Sequence, residues 1–237
     1  MPSRFNTMLS VISCLGVGLS MAVLPVQASD KVFVIKQVQN GSGIRTVCVN
    51  EEGIKFIQED FAVISKAPDW KVVYLNKHQK TYFQTGLDDF KGVPWLDKIP
   101  AALKAVDASE GEVKGLKVSR LESESKDEKG EKTRIEVLAT SSLPLAKSEK
   151  DLIRAIYGQS NLEGLPLSIK VEDSAAQRGQ DRGSTLDTDW CMEKKMPVGF
   201  FSIPKGYTEV KSQSELEKLK ASGKLRVRKY QPFVRSK

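Results

Sequence analysis

The chain has 237 residues, 40% of them hydrophobic and 28% charged, with a formal net charge of +7, three cysteines and one histidine. One histidine with cysteines far apart excludes a tetrahedral zinc set, and no Gly-x-Ser-x-Gly, phosphate-loop or dinucleotide fingerprint is present. The basic balance suits anionic lipid headgroups or cell-wall polymers as well as plain solubility.

Residues 1–28 read as a cleaved signal peptide: Arg4, a Gly/Ser-diluted apolar run, then Pro25 and a small-residue site ending at Ala28. Gly16, Gly18, Ser20 and Pro25 favour cleavage over a membrane anchor, and Cys14 lies inside the apolar run, the wrong context for lipidation. The protein is therefore expected in the periplasm or outside the cell. Export and the lack of a basic-aromatic stripe exclude nucleic acid as a partner. The mature chain, about 209 residues, has room for one large β domain or two small ones.

Its first stretch, "KVFVIKQVQ" (Lys31–Gln39), is β-branched with apolar residues on both faces; "NGSG" is a turn and residues 44–50 return. "IKFIQ", "FAVIS", "WKVVYLN" and "KTYFQT" follow, joined by short turns, so six strands form an antiparallel meander. Leu96, Ile99 and Leu103 are spaced for a short helix over 93–106, broken at Pro100. Residues 113–122 form a strand, 123–132 a charged loop and 133–140 another strand. "SEKDLIRAIYG" is a helix capped by Ser148 and ended by Gly158, with Leu152, Ile153, Ile156 and Tyr157 on one face.

"GLPLSIKVED" alternates as a strand with one wet face, Pro166 at its start. A loop leads to a long strand over 184–193. In "GFFSIPKGYTEV", Phe201 and Ile203 are expected to alternate toward the hollow of the sheet. Pro204 ends pairing, Gly206 permits a turn and Tyr207 folds back on apolar neighbours. Ser214 and Glu217 supply a capping box for a last helix. Lys224, Arg226, Arg228, Lys229 and Arg235, with Leu225, Val227, Tyr230 and Phe233 among them, make a basic tail suited to an anionic membrane surface.

The mature cysteines, Cys48 and Cys191, form an even pair in an oxidising compartment and read as a disulfide, worth roughly 4–5 kcal/mol. Asp187 and Asp189, like Asp88 and Asp89, read as solvated acids, and His78 sits in a polar turn without a local orienting partner. No cofactor, metal or catalytic site is expected.

The fold expectation is α+β, mainly β: a strongly curved antiparallel sheet, an incomplete barrel, with two or three helices covering or plugging the concave side. One such domain spans 29–210; residues 211–237 add the short helix and basic tail. "GLPLSIKVED" (with Gly164, Pro166 and Leu167) followed by "PVGFFSIPKGYTEV" (with Phe201, Pro204, Gly206 and Tyr207) resembles the closing half of an exported bacterial family of unknown function. That family is similar in architecture to the LolA/LolB-like periplasmic lipoprotein carriers. "WKVVYLNKHQKTYFQT" also looks like its paired strands. The carriers' lid arginine is matched by no residue here, and the cysteine pair and basic tail are departures.

The resemblance implies a lipid, a lipoprotein or an envelope protein as partner. The first functional expectation is a non-catalytic binding module holding an acyl chain or other apolar ligand against a concave face lined by Phe33, Val72, Tyr74, Tyr82, Leu167 and Ile169. The second is an envelope interaction domain whose hollow is filled by its own helices. Tight packing of those helices decides between them.

Overall fold

The computed structural model describes residues 31–40, 43–93, 99, 102–106, 111–126, 132–173 and 185–218. The expected signal peptide, the basic tail, the loop over 174–184 and half each of the "NGSG" turn, of the charged loop and of the helix expected over 93–106 lie outside them.

The chain opens with the meander: β1 (Lys31–Gln39), β2 (Gly43–Asn50), β3 (Gly53–Ile57), β4 (Phe61–Lys66), β5 (Val72–Asn76) and β6 (Thr81–Thr85). There follow β7 (Lys104–Ala105), β8 (Gly111–Val113), β9 (Leu116–Lys126), β10 (Lys132–Thr140), α1 (Lys147–Tyr157), β11 (Leu165–Asp173), β12 (Leu186–Lys195), β13 (Thr208–Glu209) and α2 (Gln213–Lys218). They build one curved, open sheet of order β13-β6-β5-β4-β3-β2-β1-β12-β11-β10-β9-β7, with β8 paired to β9. The mainly-β fold class stands, with fewer helices than the upper expectation.

Strand alternation sorts side chains into two clusters. Phe33 and Ile35 of β1, Val47 and Val49 of β2, Phe56 of β3, Val63 of β4 and Tyr74 of β5 face one way. Val32, Val34, Cys48, Ala62, Ile64 and Leu75, the residues between them, face the other. The first cluster also takes in Leu121 of β9, Ile135 of β10 and Leu167 of β11, with Leu152, Ile153 and Ile156 of α1. A face whose residues meet from distant strands around one helix is the inside of the curve. It is called the inner face below.

Four local expectations are corrected. No helix forms over residues 102–106; Lys104 and Ala105 pair with Glu122 and Leu121 of β9 instead. The strand expected over 113–122 is cut by a hairpin, because Lys114 (φ 52°) and Gly115 (φ 82°) both take left-handed backbone and reverse the chain in two residues. The α1 N-cap is Ala146 rather than Ser148: the Glu149 carboxylate accepts the Ala146 N–H at 2.6 Å, which starts the helix earlier. Gly158, at φ 68°, ends it as expected. For α2 the Ser212 hydroxyl accepts from the Glu215 N–H (3.1 Å), two residues ahead of the expected frame.

The stretch 199–207 is not a strand facing the hollow. Phe200 N–H bonds Pro197 O and Ser202 N–H bonds Gly199 O, so the chain turns repeatedly. Phe201, 4% exposed, packs on the outer cluster with Phe200, Ile203 and Tyr207 at its edge. Residues 196–207 thus form a strap across the outer face of the meander. Pairing begins after Gly206 (φ 82°) rather than ending before it: β13 joins the free edge of β6 in parallel. Tyr207 does fold back on apolar neighbours, as expected.

The ladder between the long strands β11 and β12 is short, with Ser168–Asp187 and Ile169–Leu186 alone in register. Pro166 has no N–H to continue it. Gly164 enters β11 so close to β10 that a Cβ there would stand 1.9 Å from the Thr140 carbonyl oxygen, which is why glycine is required.

Candidate functional site

Five of the six residues expected to line the concave face share the inner face. Val72, Tyr74, Leu167 and Ile169 are buried there and Phe33 is partly buried. Tyr74 stacks at a tilt against Phe61, centroids 5.5 Å apart. Tyr82 is the exception: it lies in the outer cluster with its hydroxyl 3.3 Å from Glu209. In β6 it is Phe83, one residue on, that faces inward.

Helix α1 lies over this face. Leu152, Ile153 and Ile156 are fully buried and Tyr157 is 1% exposed, so the amphipathic face read from the sequence is wholly used. The helix carries a second piece of chain with it. Tyr157 O accepts from Ile99 N–H (3.1 Å), and the Gln159 side chain donates to Ile99 O (2.8 Å) and accepts from Leu103 N–H (3.2 Å). Asn161 donates to Leu103 O. Ile99, Leu103 and α1 therefore form one inner cover, hydrogen-bonded within itself.

Where the cover meets β2 the interior turns polar. Arg45, 2% exposed, donates through Nη2 to the Tyr157 hydroxyl, and its Cζ stands 5.3 Å from that ring's centroid. Arg45 Nε donates to Gln37 Oε1 at 2.8 Å. Gln37 Nε2 donates to Pro166 O (2.8 Å) and to Thr188 Oγ1 (3.2 Å), while Thr188 Oγ1 donates to Leu167 O (2.7 Å). These side chains take up carbonyls of β11 that the short β11–β12 ladder leaves open. Arg45 Nη1 and Gln39 Oε1 are buried with no hydrogen-bond partner. Burial lowers the Arg45 pKa and raises that of Tyr157, against the attraction between the two.

Sequence reading missed this cluster, although a signal was present. Gln37 and Gln39 continue the inward alternation of Phe33 and Ile35, and Arg45 precedes Val47 and Val49 on the same face. Polar residues at core positions of a period-two pattern mark a buried polar network.

Glu149 is a second buried polar group on the cover, fully buried by exposure. One oxygen accepts from Ala146 and the other has no partner, and burial pushes its carboxyl up to about 8.

The expected disulfide is not formed; both cysteines are free. Cys48 pairs with Val34 and Cys191 with Ile35, so β1 runs between them, and they point to opposite faces. Strands two apart are separated by roughly 10 Å, beyond the reach of a disulfide. Burial raises the Cys48 thiol to about 11, leaving it inert.

The acids read as solvated stay so: Asp189 bonds Lys36 (2.9 Å), and Asp88 and Asp89 are exposed. His78 does have a partner, Asp60 at 2.6 Å, found only through the fold because it lies on the neighbouring turn. Among the described residues no group of three or more metal-ligating side chains occurs, and no helix is long and apolar enough to cross a membrane. Compared with protein-family models and with curated proteins, the chain matches none.

Proposed function

We propose that the protein is a non-catalytic, exported binding protein of the cell envelope that takes an acyl chain or other apolar ligand against the inner face of its sheet. The inner cover is the part that yields to it. The carrying observation is that α1 and the segment at Ile99 and Leu103 bond to each other while lying on a continuous apolar surface, joined to the sheet by the Tyr157–Arg45 bond and by the short β7–β9 pairing beside Leu103. Such a piece can part from the inner face with few backbone bonds broken. Apolar pockets with few polar anchors are the usual form of such sites, and the resemblance to the LolA/LolB-like carriers points the same way.

Arg45 supports the same reading. A buried guanidinium lacking a carboxylate costs several kcal/mol, and Arg45 keeps one N–H group bare. A core that only filled space gains nothing from it.

The second reading, an envelope interaction domain, rests on the full burial of Leu152, Ile153 and Ile156. Native mass spectrometry of the mature protein from its export compartment, with organic extraction, separates the two. An acyl species that co-purifies, is lost in Tyr74→Trp and is kept in the outer-face control Tyr82→Ala supports the carrier. An empty, folded protein that also refuses fluorescent fatty-acid probes supports the interaction domain.

A further inference from the structure

The strap leaves a hollow where it passes the β4–β5 turn. A cavity of about 370 Å³ lies there, with Ile64 and Val73 as floor and Phe201 and Ile203 as the strap-side wall. It is on the outer face, on the opposite side of the sheet from the inner site. Its volume lies in the range of small-ligand sites, roughly 300–1,000 Å³.

The mouth is charged. Lys66, Asp69 and Lys71 stand around it, all exposed, with Gln84 and Ser202 as neutral polar neighbours. Lys66 Nζ donates to the Ser202 hydroxyl at 3.1 Å, a neutral partner that leaves its charge uncompensated. An ammonium has three donors, so two remain for a ligand. Two cations against one carboxylate give the mouth a positive balance. The walls are held in place: Lys55 Nζ donates to Phe200 O (3.1 Å), and Val210 N–H to Tyr82 O (2.8 Å), so the strap is pinned on either side of the hollow.

We propose that this cavity is a second, independent binding site, for a small amphiphile with an anionic head. The apolar tail lies on Ile64 and Val73 under Phe201 and Ile203, and the head meets Lys66 and Lys71. Carboxylate and phosphate heads share this chemistry.

Titration calorimetry with decanoate, decyl phosphate and decyltrimethylammonium tests it at low salt. The expected result is binding of one or both anions, with the cation at least tenfold weaker. The tighter of the two anions then names the head. The double variant Lys66→Glu/Lys71→Glu should weaken anion binding at least tenfold, and Ile203→Trp, which fills the hollow, should abolish it. Both should leave the thermal midpoint near that of the parent, since the lysines are exposed and Ile203 is only partly buried. Binding of the cation as tight as the anions, anion binding unchanged in both variants, or no anion binding by the parent would each overturn the proposal. Binding that persists only in the inner face would show as the variant-insensitive case, so failure here leaves the inner-face reading standing.

Discussion

The two faces of the meander are both apolar, yet they are covered in opposite ways. On the outside Lys55 and Lys66 hold the turns of the strap, which runs straight into β13 at the edge of β6: Thr208 N–H bonds Lys80 O (2.9 Å) and Val210 N–H bonds Tyr82 O (2.8 Å). On the inside α1 bonds to Ile99 and Leu103 and rests on the sheet through apolar side chains and the Arg45–Tyr157 contact. Removing the strap together with β13 would orphan backbone groups of β6, whereas lifting the inner cover would expose apolar area and one buried polar cluster. Under the proposed function, movement belongs to the inside and fixity to the outside.

The largest way to break this arrangement is at Gly164, where the chain leaves the inner cover for β11. Gly164→Ala drives a methyl group into the Thr140 carbonyl. A backbone clash of this kind should cost upwards of about 4 kcal/mol and lower the melting temperature by roughly 10 °C or more. Calorimetry reads it directly. A near-normal melt would mean that β10 and β11 part more easily than their ladder suggests.

Next comes Phe201→Ala in the strap, which should cost about 3 kcal/mol in urea unfolding. Because the strap leads into β13, which is laddered to β6, that loss should appear as a shifted midpoint of one cooperative transition. A separate early transition would show the strap to be the looser cover.

Glu149→Gln sharpens the comparison from the inside. The folded-state carboxyl is raised from 4.5 to about 8 by burial, so the folded protein holds a proton that the unfolded chain has released. The contribution is intact below pH 4.5 and is lost as pH rises toward about 8. The amide keeps an acceptor for Ala146 and cannot ionise. The variant should therefore match the parent near pH 4.5 and exceed it by several kcal/mol at pH 8. Equal stability at both would place a charged, solvated carboxylate at α1.

The smallest effect belongs to the wet hairpin. Glu122 accepts from Arg134 at 2.8 Å on the exposed side of β9–β10, next to the Arg120 and Lys170 pairs. Arg134→Ala should leave the urea midpoint nearly unchanged, and the small shift should shrink further in high salt. This hairpin has one covered face where the meander has two.

Much of that contrast was legible in the chain. β1 to β6 are bounded almost as the residues predict, because period-two alternation and short polar turns act locally. Apolar residues on both faces of "KVFVIKQVQ" already required two covers. What covers the outer face was not legible, since 199–207 folds as turns whose partners are more than a hundred residues away. The cysteines failed for a related reason. Which face each occupies depends on register across β1, and spacing along the chain carries no register. The candidate site was half visible: Val72, Tyr74, Leu167 and Ile169 follow from alternation, whereas Arg45 needed Gln37, Thr188 and Tyr157 brought to it from three other elements.

Native-state hydrogen exchange, comparing α1 with β2 to β5 alone and with palmitate, distinguishes a cover that opens from one that is fixed. In the protein proposed above, α1, Ile99 and Leu103 open together at a free energy below that of the strands, and palmitate changes exchange there while the strap stays protected. If α1 exchanges only with global unfolding, and palmitate moves nothing, the helix is a fixed core element and the inner face binds no ligand.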